Sequence, residues 1–162
     1  MLRQAFRYKA WADLRTLDAI GRLDGARAES LRFATQQLNH MIIVEDLFRS
    51  RLEGTPAPHA STNTAQLPAL DELRERIVRS DAWYGAYAAR LEPPDEDETV
   101  SFVFADGQRG TMSRKEMLFH IVNHGTYHRG AIGHALDLAG VPHPADTYTV
   151  FIHAAEPQRR QA

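Results

Sequence analysis

The chain has 162 residues, of which 43 % are hydrophobic and 25 % charged, and its formal net charge is −2. This length suits one domain with a single core, residues 1–162. The near-neutral charge argues against direct nucleic-acid binding, which needs a strongly basic surface. The absence of cysteine excludes disulfides, thiolate metal ligands and a cysteine nucleophile. No run is apolar enough for a signal peptide or a membrane span, so we expect a cytoplasmic protein that does not bind membranes.

Four segments carry apolar residues at steps of three or four, the spacing typical of an amphipathic helix. They predict helices over residues 2–21, 31–53, about 67–91 and about 114–139. The last of these begins at Ser113-Arg114-Lys115-Glu116, a sequence that fits a capping box. It is expected to end before Gly140, since glycine commonly follows the last residue of a helix.

The segments between the predicted helices differ from them in composition. Residues 55–66 form a polar loop, and the acidic run EPPDEDE at 92–98 is predicted to be a solvated turn. Apolar and polar residues then alternate before an Asp106-Gly107 pair, which predicts a small β-hairpin. The tail TYTVFIHA is apolar enough to pack on the protein, but its pattern assigns no structure. The whole pattern predicts an all-α fold, a four-helix bundle with a small β-hairpin insert before the last helix.

Three histidines, His120, His124 and His128, lie four residues apart in the last predicted helix. Neighbouring members of this row lie about 6 Å apart along the helix axis, so that one pair can bind one ion. The first and third lie about 12 Å apart, too far to share an ion bound at about 2.0–2.1 Å. The row therefore supplies one pair. The helical wheel favours His124 with His128, which lie closer to the inward face, and predicts His120 at the rim.

His40 is the candidate for a third ligand. It lies in LNHMIIVEDLF, on the apolar face of a predicted helix, where an imidazole must satisfy its nitrogens. Alone, such a residue is more often a buried histidine that bonds a neighbour, but a histidine pair on another helix favours ligation. Surface positions are expected for His59 and His143, the opposite helix side for His134, and no position is predicted for His153.

A site of three histidines predicts a bound divalent metal. Neutral imidazole suits Zn, Ni, Cu or Fe. Three protein ligands and an open position are typical of catalytic zinc, whereas structural zinc usually has four ligands. Such a metal would lower the pKa of a bound water or act as a Lewis acid. A fourth ligand, from Glu45 or another histidine, would argue for a non-catalytic site.

The segment HIVNHGTYHRGAIGHAL resembles the fourth-helix signature of the DinB-like family, the DinB/YfiT superfamily. In that signature a histidine is followed, after three residues, by His-Arg-Gly, and His124 with residues 128–130 fits it. The segment LNHMIIVEDLF resembles the second helix of the family, which carries the first ligand histidine, here His40. FRYKAWADLRTL resembles the opening helix.

The resemblance implies an up-down-down-up four-helix bundle, usually a homodimer, with zinc or nickel held by His40, His124 and His128. Related branches include thiol-dependent S-transferases, a mycothiol-dependent maleylpyruvate isomerase and metal-dependent hydrolases. It therefore implies a metal-dependent hydrolase or S-transferase whose small-molecule substrate is unknown. Because Gly125 follows His124, the H-E-x-x-H motif of zincin proteases is absent. The alternatives are a non-catalytic, metal-stabilised stress-response protein and a small-molecule carrier without a metal.

Arg129, inside the same motif, has two interpretations. Its planar guanidinium can bind a substrate carboxylate. A salt bridge within the protein, to Asp46 or Glu45, is the favoured interpretation. The following Gly130 is expected to allow close packing between helices.

Overall fold

The computed structural model describes residues 1–104 and 106–160. Short 3₁₀ turns precede the second helix and the first strand and follow the last helix. The predicted bundle of long helices, with a hairpin before the last of them, is confirmed. In chain order the helices and strands are α1 Leu2–Ile20, α2 Ala28–Glu53, α3 Leu70–Arg90, β1 Thr99–Val103, β2 Arg109–Ser113, α4 Arg114–Leu138 and α5 Tyr148–Ala155.

The four long helices pack in a ring in which α1 and α2 each contact both α3 and α4. Two ion pairs fix the direction of α1 against α3. Lys9 contacts Asp81 at 2.7 Å, and Asp18, nine residues further along α1, contacts Arg74 at 2.7 Å. Since the residue numbers rise on one helix and fall on the other, α1 and α3 are antiparallel.

The second and third helices are parallel, because the long loop at residues 54–69 returns along α2 before α3 begins. His59 of this loop bonds Asp46 at 2.9 Å, and the Thr62 carbonyl lies 2.9 Å from Nδ1 of His40, nearer the start of α2. The last long helix, α4, is antiparallel to α2. His124 pairs with His40, whereas His128, further along α4, pairs with Gln37, which comes earlier in α2. The helix directions are therefore up, down, down and up.

Local sequence explains where α4 begins and where two apolar predictions are wrong. The predicted capping box is present: Ser113 Oγ accepts from the Glu116 amide at 3.3 Å, and the Glu116 carboxylate accepts from the Ser113 amide at 2.7 Å. The apolar spacing that predicts α1 and α2 includes Leu14 and Phe33 and would place both inward, but these residues are 39 % and 40 % exposed. In α1 the buried face includes the charged residues Lys9 and Asp13, so Leu14 lies outside it.

The apolar tail forms α5, which packs against α1. Phe151 and Ile152 are buried in a cluster with Tyr8 and Ala12. Thr147 begins the helix, since its hydroxyl accepts from the Val150 amide at 3.4 Å. Among the described residues no helix combines the length and the apolar composition needed to cross a membrane.

A buried network of charged side chains joins the four long helices. Nζ of Lys9 lies 2.7 Å from Asp13, 2.8 Å from Glu45 and 2.7 Å from Asp81. Arg129 of α4 contacts the other oxygen of Asp13 at 2.7 Å. The side chains of Lys9 and Asp13 are fully buried. The helices α2, α3 and α4 are thus each tied to α1 by charge-assisted hydrogen bonds between buried side chains.

Arg129 does form salt bridges within the protein, but the predicted partners, Asp46 and Glu45, are wrong. Its guanidinium donates to Asp13 at 2.7 Å and to Asp146 at 2.6 Å. The reason is the register of α4, which points this side chain at α1 and not at α2. With its donors used inside the protein and the residue 3 % exposed, Arg129 is not available for a substrate carboxylate.

The close approach of α1 and α4 occurs at Gly125, and the prediction for Gly130 is wrong. Gly130 is exposed, and a Cβ atom added there would have no neighbour within 4 Å. At Gly125 the same atom would lie 3.0 Å from Nη1 of Arg129 and 3.8 Å from Cε of Lys9. Gly125 directly follows His124. Because it has no side chain, Lys9 and Arg129 of the buried network can lie against the backbone at this point.

The network makes the stability of the protein depend on pH through Asp81. Burial raises the pKa of Asp81 to about 7, although the Lys9 charge lowers it. The native state then binds a proton that the unfolded state releases near pH 4, so its stabilising effect is lost as the pH rises from about 4 to about 7. We expect the free energy of unfolding of the wild type, relative to Asp81→Asn, to fall over this range. The slope is at most about 1.4 kcal/mol per pH unit.

Urea unfolding of the metal-free protein at several pH values between about 5 and 7 measures this difference. Asp18→Asn is the matched control, since Asp18 is an exposed carboxylate of α1 paired with Arg74. The same pH dependence in the wild type and in Asp81→Asn would contradict the prediction.

Candidate metal centre

The structure brings together the three histidines that the sequence singled out, one from α2 and two from α4. Nε2 of His124 lies 3.2 Å from Nε2 of His40 and 3.0 Å from Nε2 of His128. One ring nitrogen of each histidine lies within 4.8 Å of the other two. All three side chains are half-buried, so that the nitrogens converge at the edge of the core.

In His40 and His128, a hydrogen bond at Nδ1 determines that Nε2, the nitrogen facing the other histidines, carries a lone pair. Nδ1 of His40 lies 2.9 Å from the carbonyl oxygen of Thr62, and Nδ1 of His128 lies 2.6 Å from Oε1 of Gln37. These oxygens can only accept, so Nδ1 carries the hydrogen in both rings. Nε2 of each ring is then unprotonated and available as a metal ligand.

The donor set fits a metal cation. His124 can carry at most one hydrogen on Nε2, so it satisfies only one of the two lone pairs that His40 and His128 direct at it. A cation among the three nitrogens would accept all three lone pairs. Two nitrogens bound at about 2.1 Å to one ion lie roughly 3.0–3.4 Å apart at right or tetrahedral angles, which agrees with the 3.0 and 3.2 Å separations.

The electrostatics of the site keep the two imidazoles of α4 neutral. Burial, together with the neighbouring histidines and Lys9, lowers the pKa of His124 to about 3. Burial and His40 lower the pKa of His128 to about 4. Metal ligation requires the neutral form of imidazole. At neutral pH both residues are already neutral, so neither has to release a proton when a metal binds.

Comparison with known proteins identifies the family of the chain. The sequence model of the DinB family matches residues 1–161. The chain belongs to the DinB family. A comparison with curated proteins gives no match to this chain.

The remaining histidines of this DinB family protein lie outside the cluster. His120 is half-buried, and its ring stacks on Phe48 at 4.8 Å and on His124 at 5.4 Å. Burial and the charge of Arg51 lower its pKa. His120 therefore forms one wall beside the site, close to the rim position predicted for it.

The four other histidines have separate positions. His143 and His134 are exposed, and His143 bonds Asp137 at 2.7 Å. His153 is half-buried on α5. The predicted surface position of His59 is only partly right, because its half-buried ring fastens the long loop to α2.

A fourth protein ligand is not found among the described residues, where the only group of histidine, aspartate and glutamate side chains close enough to hold one ion is the histidine trio. Glu45, the acidic candidate, is 1 % exposed and bonds elsewhere. One of its carboxylate oxygens pairs with Lys9 at 2.8 Å, and the other accepts from Ser80 at 2.5 Å.

Sequence reasoning missed the two residues that orient the ligand rings, Gln37 and Thr62. Gln37 precedes His40 by three residues, so the two share a helix face, and this spacing was a usable signal. Thr62 acts through its backbone carbonyl, which any residue type provides, so the sequence held no signal for it. Lys9 and Asp13 were also missed, although their four-residue spacing places both on the face of Phe6 and Leu17.

Gln37→Leu tests whether the amide orients His128. Leucine keeps a similar volume but removes the acceptor at 2.6 Å, so that the ring is free to rotate and to change tautomer. We expect metal affinity to fall by roughly 10–100-fold, the usual effect of losing an outer hydrogen-bond partner of a ligand histidine. Titration with zinc against a competing chelator measures it. Gln36→Leu, on the exposed side of the same turn, should keep wild-type affinity, and equal affinity in the two variants would contradict this role.

Proposed function

We propose that this DinB family protein is a metal-dependent enzyme that acts on a small molecule, as a hydrolase or a thiol-dependent S-transferase. His40, His124 and His128 would hold one divalent ion, zinc or nickel. The observation that carries the proposal is the convergence of three Nε2 atoms without a fourth protein ligand among the described residues. Three protein ligands and an open position are typical of catalytic centres.

The chain itself would contribute orientation and shielding. Gln37 and the Thr62 carbonyl would hold the rings of His128 and His40. The half-buried positions of the three histidines would limit the access of water. When bound, the metal supplies Lewis acidity to a substrate or its thiol cosubstrate. Because the protein has no cysteine, the thiol of a transfer reaction has to come from a cosubstrate.

Several wider features belong to the same proposal. We infer that residues 1–162 act as one domain, that the protein is a homodimer as the family resemblance implies, and that it works in the cytoplasm. Direct nucleic-acid binding is not expected, since the net charge is −2 and such binding depends on a basic surface. The alternative function is a non-catalytic, metal-stabilised stress-response or small-molecule-binding protein.

The open coordination position separates these two functions and can be tested with cobalt. Cobalt(II) replaces zinc in such sites, and its visible absorption reports the ligands around it. We expect 2-mercaptoethanol to add a thiolate-to-cobalt charge-transfer band to the cobalt-loaded protein, since a position is free to accept the thiolate. The spectrum of the His124→Ala variant should lack this band. A cobalt spectrum that no thiol, azide or cyanide changes would favour the non-catalytic alternative.

A further inference from the structure

Arg51, in the last turn of α2, differs in its charge environment from the other buried and half-buried arginines. Within residues 1–104 and 106–160 it has no carboxylate at ion-pair distance, and it is half-buried. Each of the others has one: Arg27 pairs with Asp24, Arg49 with Glu53, Arg74 with Asp18, Arg76 with Asp46, Arg114 with Glu98 and Arg129 with Asp13.

The guanidinium of Arg51 is surrounded by aromatic rings. Its central carbon lies 4.8 Å from the ring centre of Phe48, 4.2 Å from that of Phe102 and 5.9 Å from that of Phe104. Nη2 donates to the carbonyl oxygen of Val103 at 3.1 Å. A guanidinium has five N–H donors, and within the described part of the chain this is the one hydrogen bond it makes. Burial lowers the pKa of Arg51, as it does for a cation removed from water without a carboxylate beside it.

A continuous row of rings connects this cation to the three histidines. Phe48 stacks on His120 with the ring centres 4.8 Å apart and the planes 22° apart. His120 stacks on His124, the middle ligand candidate, at 5.4 Å and 26°. Along α2 the residues His40 and Arg51 are about 16 Å apart. The long arginine side chain shortens this gap, since helical side chains lean toward the helix N-terminus.

We propose that Arg51 binds the oxyanion of a small-molecule ligand, a carboxylate or a phosphate, whose apolar body lies over the half-buried ring of His120, which the buried ring of Phe48 supports from the core. The other end of this ligand would reach the histidine cluster. Only that last statement rests on the proposed function. The oxyanion site itself follows from an unpaired, partly desolvated guanidinium with free donors, since the donor fork of a guanidinium can bind two oxygens of a carboxylate or a phosphate at once.

A purely structural role for Arg51 predicts that oxyanion binding does not depend on this residue. In that case the side chain only covers the phenylalanine rings and ties β1 to α2 through the Val103 carbonyl. Arg51→Met keeps an unbranched apolar side chain over the rings and removes the charge and the donors. Arg51→Lys keeps the charge and loses the planar fork.

The test is a titration of the protein, metal-free and zinc-loaded, with three probes of one aromatic body: benzoate, phenyl phosphate and benzyl alcohol. Protein NMR chemical shifts report weak binding and its location. We expect benzoate or phenyl phosphate to bind the wild type better than benzyl alcohol does. Arg51→Met should lose about tenfold or more of the affinity for the oxyanion, and Arg51→Lys should lose less. The preferred anion shows which of the two oxyanions the site takes.

Arg49→Met is the matched control. Arg49 lies on the same helix with its guanidinium 4.9 Å from the ring centre of Trp83, but Glu53 neutralises it at 3.2 Å. This variant should bind the oxyanions like the wild type. Oxyanion binding that Arg51→Met leaves unchanged, or no oxyanion binding by the wild type, would overturn the proposal. Because the titration is repeated without zinc, failure of the metal proposal does not change its outcome.

Discussion

Replacing Lys9 by methionine is expected to destabilise the protein by about 3–5 kcal/mol, the usual effect of removing one partner from a buried ion pair. Nζ of Lys9 lies within 2.8 Å of three carboxylates, Asp13, Glu45 and Asp81. Methionine fills most of the volume but leaves these carboxylates buried without their common cation. Urea unfolding of the metal-free protein measures the loss.

The chain provides its own control, because it has only two lysines. Lys115 pairs with Asp97 on the surface, where an ion pair is screened by water and contributes little. Lys115→Met should therefore leave the urea midpoint almost unchanged. If both variants unfold at the same urea concentration, the buried network does not hold the bundle together as described.

Removing His124 is expected to have the largest effect on metal binding, since its Nε2 lies within 3.2 Å of both other ligand nitrogens. His124→Ala should reduce affinity by more than the roughly 10–100-fold expected for an outer partner such as Gln37. In the wild type, metal at a hundred times its dissociation constant should stabilise the native state by about 2.7 kcal/mol. This corresponds to a rise in melting temperature of roughly 5–10 °C for a chain of this size.

Thermal unfolding with and without zinc or nickel shows whether His124→Ala loses this rise. His134→Ala is the control, since His134 is an exposed histidine of the same helix and should keep the full response. A similar rise in melting temperature in all three proteins would mean that the metal stabilises them from another place.

The helices and two of the three ligand histidines were predictable because they depend on local sequence. Apolar spacing predicted the long helices, and the capping box predicted the start of α4 at Ser113. The four-residue spacing of His124 and His128 placed both on one helix face, which is a consequence of helix geometry alone. His40 was inferred from its place on the apolar face of another predicted helix, and the family resemblance supported it. Its distance from the pair depends on how α2 packs against α4, which the sequence does not specify.

The unpredicted features depend on contacts between residues far apart in the chain. Gln37 and His128 are 91 positions apart, and the periodicity of either helix does not specify their register. The partners of Arg129 were wrong for the same reason. Helix α5 was not predicted because its eight residues are too few for a clear period, and its apolar side chains are satisfied only by packing on α1.

The most direct test of the three-histidine centre is the metal content of the protein. Elemental mass spectrometry would be done on untagged protein purified without chelators or metal columns, together with alanine variants of His40, His124, His128 and His120. We expect about one zinc, nickel or similar ion per chain, lost in the first three variants and kept in His120→Ala. Absence of metal even after reconstitution, or metal retained by the first three variants, would contradict the proposed site.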